Sequence, residues 1–173
     1  DFMLTFGSGI TEPSVKWLPG IILETAVLLV LYHVIFFKVL KNFFKAAYSQ
    51  RPWWDYVLTY EGIFSKNVQV EVCYVSILAV HHFIGGCLLV YGTLYDRPDI
   101  FAQGMIVEFV DDINDSALMI CKLWPFDEPD PKLLFLMLPH HAFGLLMVPT
   151  SLVMGWHLNK DCQEIGAALL MAG

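Results

Sequence analysis

Two long runs without a formal charge constrain this chain more than any other feature. Val72–Tyr95 covers 24 residues and Leu133–Leu158 covers 26, and neither contains Asp, Glu, Lys or Arg. A helix needs about 20 predominantly apolar residues to cross roughly 30 Å of hydrocarbon. Inside lipid the backbone must satisfy its own amides, which leaves helix as the economical spanning form. Trp17–Phe37 is a third such run, interrupted only by Glu24 and His33. Pro98–Trp124 has the length of a fourth but carries acids. The pattern predicts an all-α fold: a polytopic transmembrane helical bundle, one domain over 1–173, with spans at about 17–37, 72–95, 98–124 and 133–158. The apolar run Ile165–Gly173 reads as the start of a further helix, so the chain reads as a processed or partial one lacking one or more spans.

Charge enters the argument here. Charged residues make up 16% of the chain, against about 25% in soluble domains. Hydrophobic residues make up 57%, which excludes a disordered polypeptide. The net charge of −7 excludes a nucleic-acid binder. Basic residues are distributed unevenly. Lys38, Lys41, Lys45, Arg51, Lys66, Lys122 and Lys132 fall on one side of the predicted spans, and Lys16, Arg97 and Lys160 on the other. The first group marks the cytoplasmic-type face. Lys38, Lys41 and Lys45 share a helical face beside Phe43 and Phe44 and ahead of Trp53 and Trp54, as in a membrane-surface extension that Pro52 ends. A plain solvated helix end is the alternative. Cys73, Cys87, Cys121 and Cys162 form no metal-binding spacing and are expected to be buried free thiols. No metal ligand set is assigned.

The third segment places Glu108, Asp111, Asp112, Asp115 and Lys122 within about 100° of arc on one helix. Each charge costs roughly 2.5–3.5 kcal/mol at the bilayer centre, so a spanning helix must turn this stripe toward partners. Closely packed carboxyls can share a proton, which makes them candidates for general acid/base work. The alternative is a surface-lying helix whose acids face water.

Two histidine pairs echo each other, HHFIGGCLLV from His81 and HHAFGLLMVP from His140. Successive helical residues point about 100° apart, so each pair offers one imidazole inward and one toward a neighbour. Gly85, Gly86 and Gly144 thin the helix one turn on, allowing another helix or a flat ligand to approach. Three roles stay open: packing, proton movement with the carboxylates, or axial ligation of haem or another tetrapyrrole. His33 and Glu24 read as separate packing groups, and His157 as interfacial.

The mid-span HH, followed by DDIND and then by Lys seven residues after Asp115, resembles the TLC domain family, to which the ceramide synthases belong. His81 and His82 match that family's histidine pair, Asp112 and Asp115 its two aspartates, and Lys122 its lysine. Asp111 stands where the motif carries a further histidine, and the loop Gly92–Phe101 is longer than the family's. The resemblance covers about Glu61–Trp124. It implies a lipid-accommodating cavity, acyl transfer from acyl-CoA to a lipid amine, and residence in the endoplasmic reticulum. On that reading His81, His82, Asp112 and Asp115 are catalytic, while Glu108, Asp111, Lys122, His140 and His141 bind substrate. Membrane lipid and acyl-CoA are the expected ligands. The alternative is a non-catalytic subunit of a mitochondrial or plastid membrane complex, holding haem or chlorophyll through its histidines and partnered by other membrane subunits. Proton or ion transport along the acid and histidine track is a weaker third reading.

Overall fold

A computed structural model describes residues 13, 16, 18–57, 60, 68–121 and 131–171. Among them the chain is helical, with no strand. The first helix, α1 (Leu18–Leu31), continues through a wider-wound π segment (Tyr32–Leu40) into α2 (Lys41–Tyr48). This makes one continuous rod, Leu18–Tyr48, longer than the expected first span. A short helix α3 (Trp53–Val57) follows, then α4 (Val68–Leu94), α5 (Pro98–Ile120) and α6 (Pro131–Met154). A single 3₁₀ turn (Trp156–Leu158) leads into α7 (Lys160–Met171). The fourth span therefore ends at Met154 rather than at 158, because Gly155 takes a left-handed φ of 74° that breaks the helix. The further helix begins at Lys160, five residues before the apolar run that suggested it.

Three helices are long and apolar enough to cross a membrane: Leu18–Tyr48, Val68–Leu94 and Met137–Met154. Only 25%, 39% and 28% of their most apolar windows is buried within the chain. Phe83, Leu146, Val30 and Ile22 point outward from them, each at least 60% exposed. Apolar surface on that scale is disfavoured in water, and lipid covers it at no cost.

The acidic helix α5 occupies the centre, against α1, α4, α6 and α7. Phe101, Ala102, Met105 and Ile106 on α5 meet Ile21 on α1, Leu89 on α4, Val148 and Leu152 on α6 and Ala167 on α7. Small residues set the closest approach. A Cβ at Gly92 would lie 2.6 Å from the Phe101 backbone nitrogen, and one at Gly104 would lie 2.8 Å from Leu89 Cγ. That contact brings the α4 and α5 backbones together. The connection is a tight one, Tyr95–Asp96–Arg97, not the long loop expected over Gly92–Phe101. Asp96 adopts φ 52°, a conformation Asp tolerates, and Arg97 N–H donates to Gly92 O at 2.8 Å. Pro98 then starts α5 at a position where a missing N–H costs nothing, and Arg97 grips Asp99 through two bonds of 2.9 and 2.6 Å.

Candidate functional site

One face of α5 carries Glu108, Asp111, Asp112 and Asp115, and all four are between 0% and 7% exposed. They do not face water. Burying an ionised carboxylate is prohibitive unless donors surround it, and each acid here has its own. His82 Nδ1 lies 2.7 Å from Glu108 Oε2, and His141 Nδ1 lies 2.6 Å from Asp112 Oδ1. Tyr32 O–H donates to Asp111 Oδ1 at 2.5 Å. Tyr74 O–H donates to Asp115 at 2.7 and 2.6 Å, and Asn114 Nδ2 adds a bond at 3.2 Å. Read along α5, the donors alternate imidazole, phenol, imidazole, phenol, and they come from three surrounding elements: the π segment after α1, α4 and α6.

The glycines explain how the carboxyls fit. A Cβ at Gly85 would overlap the Glu108 carboxyl, and one at Gly144 would overlap that of Asp112. In both helices the glycine stands three residues after the imidazole that holds the same acid. H-H-x-x-G on α4 and on α6 is thus one device used twice, against acids one turn apart on α5. The notches at Gly85 and Gly144 admit another helix, α5, through its carboxylates.

The two histidine pairs differ in which ring is accessible. His81 is 2% exposed, with its ring edge-on to Tyr32 at 5.0 Å between centroids. His82 is accessible, its side chain 39% exposed. On α6 the order reverses: His140 is exposed and His141 is 2% exposed. His82 and His140 therefore line one cavity of about 410 Å³, together with Glu108, Asp112, Pro139, Phe143, Gly144 and Leu169. His81, Asp111, Asp115 and His141 stand behind this wall. Lys122 lies outside the described residues.

Several expectations need correcting. His157 is not interfacial: the turn at Gly155 folds it inward to 1% exposure, with Nδ1 3.3 Å from Ser151 O. Of the cysteines only Cys73 is buried; Cys87, Cys121 and Cys162 lie on the surface of the chain. Apolar neighbours in the sequence do not by themselves make a position part of the core. Glu24 and His33 do separate, Glu24 buried and His33 exposed. Tyr32 and Tyr74 are the site residues that sequence reasoning missed. Tyr74 lies seven residues before His81, two turns along the same face, so helical spacing alone could have found it. Nothing local marks Tyr32, which reaches Asp111 across 79 residues of sequence.

Fold and site together define an all-helical chain with three membrane-compatible helices around a buried carboxylate–imidazole–phenol network. Comparison of the chain with protein-family models, with curated proteins and with solved structures finds no match.

Proposed function

We propose that this is a TLC-like integral membrane protein of the endoplasmic reticulum, with α5 as a fourth span, that transfers an acyl group from acyl-CoA to a lipid amine or hydroxyl. The single observation that carries the reading is His82: an accessible imidazole on a cavity wall, held through Nδ1 by a buried carboxylate. That is the arrangement of an oriented general base. His82 Nε2 takes the proton of the attacking amine or hydroxyl while Glu108 holds the ring and stabilises the imidazolium. The nucleophile forms its bond to the acyl carbon, the thioester C–S bond breaks, and the proton leaves with the CoA thiolate. Phe143, Leu169 and Pro139 supply an apolar wall for the acyl chain, and about 410 Å³ falls within the range of roughly 300–1,000 Å³ typical of small-molecule sites. Relative to the sequence reading, Glu108 moves from substrate binding to orienting the base, and His81 and Asp115 become supports behind the wall.

The test is acyl transfer by the full chain reconstituted in vesicles with acyl-CoA and a long-chain amine. His82→Ala lowers turnover by about 10²–10⁴-fold, the usual contribution of a general base. Glu108→Gln, which keeps the shape and removes the charge, lowers it less. Wild-type turnover in His82→Ala refutes the reading. A Soret or chlorophyll band in the purified protein replaces it with the pigment-holding subunit.

A further inference from the structure

We propose that Asp112, His140 and, just behind them, His141 form a binding site for a divalent transition-metal cation at the cavity that His82 also lines. One ligand atom from each residue lies within 4.8 Å of the others. Tetrahedral ligation with bonds of about 2.0–2.2 Å needs such atoms to close to somewhat over 3 Å, a shift side-chain rotation supplies. Two imidazoles and one carboxylate suit zinc or ferrous iron and not magnesium or calcium, which prefer oxygen donors throughout. Three protein ligands leave a coordination position open, and Asp112 and His140 both line the cavity.

Two features of the arrangement support such a ligand. His141 is 2% exposed, yet its Nε2 has no hydrogen-bond partner, a cost that buried imidazoles rarely carry. Ligation through Nδ1 places the ring proton on Nε2, and Asp115 Oδ2 waits 3.9 Å away to accept it. A metal-bound histidine handing its other N–H to a carboxylate is the usual outer-shell arrangement, and Tyr74 already holds Asp115 in place. The second feature is His140, which stands on an apolar helix with no hydrogen bond or ion pair among the described residues; its one ring neighbour is His141, 5.4 Å between centroids. Gly144 completes the site by giving the Asp112 carboxyl its space.

This inference goes beyond acyl transfer and is tested without substrate. The tag-free full chain in detergent is loaded with Zn²⁺, dialysed and analysed for metal, with Co²⁺ as a visible-absorbing probe of geometry and affinity. One cation per chain is expected, with Co²⁺ bands of a four-coordinate nitrogen–oxygen site. His140→Ala, at an exposed position that does not threaten folding, weakens binding at least tenfold, while Phe83→Ala, on the outward face of α4, leaves it unchanged. No stoichiometric cation, or any other pattern across the two variants, overturns the site. Failure of acyl transfer with cation binding intact would sink the proposed reaction and leave this site standing.

Discussion

Gly85→Ala separates the needs of the site from the needs of the helix. Alanine in place of glycine stabilises a helix interior by about 0.5–1 kcal/mol where space allows. At Gly20 nothing lies within 4 Å of the new Cβ, so Gly20→Ala should be neutral or stabilising by up to that amount. At Gly85 the Cβ falls on the Glu108 carboxyl. The overlapped atoms are the end of a flexible side chain, so the backbones need not part, but the carboxyl must swing away from His82 Nδ1. The charge-assisted bond lost there is worth about 1.5–3 kcal/mol. Subtracting the helix gain leaves a net loss of about 0.5–2.5 kcal/mol. Reversible unfolding in mixed micelles reads the stability, and imidazole NMR reads whether His82 keeps its partner. If Gly85→Ala matches Gly20→Ala in stability and His82 is unperturbed, Glu108 is not seated in that notch and the reasoning fails.

Tyr74→Phe removes the phenol whose single hydrogen is shared between the two oxygens of the fully buried Asp115, leaving the longer Asn114 bond. Hydrogen bonds to charged groups predict a loss of about 1.5–3 kcal/mol in micellar unfolding, and a change below about 0.5 kcal/mol, the scale of inert surface substitutions, would contradict it. Cys87 lies on the outward face of α4, five residues past His82, so a membrane-impermeant maleimide should leave it unlabelled in vesicles and label it after denaturation in detergent. Ready labelling in intact vesicles would put that face of α4 in water.

The sequence shows what each helix carries and conceals what it meets. The acidic stripe of α5 and both histidine pairs were legible because 3.6-residue spacing converts position into direction, and four carboxyls on one face admit few readings. The partners of those acids were not legible. Glu108 with His82 and Asp112 with His141 depend on which turns of α4 and α6 stand level with α5, and that register is set by the Gly92–Phe101 and Gly104–Leu89 contacts. The same ignorance of neighbours hid the inversion between the pairs, in which the second histidine is accessible on α4 and the first on α6. It also misplaced His157, whose burial depends on one left-handed glycine, and three cysteines. Hydropathy reads an apolar stretch alike whether it faces lipid or core. In α5 the acidic stripe faces inward, as a costly set of charges on an apolar helix requires, and the helix sits at the centre of the bundle against α1, α4, α6 and α7.

On the proposed reading α5 crosses the membrane with its carboxylates inside. Its turn with α4 offers Asp96 at one end, and Cys121 follows its last residue at the other. Asp96→Cys in a chain with the other cysteines removed, compared with Cys121 alone, is labelled by an impermeant thiol reagent in sealed, oriented vesicles. If α5 spans, the two positions react from opposite sides. Labelling of both from the same side would place α5 on the membrane surface, and the enclosed acid–imidazole centre would go with it.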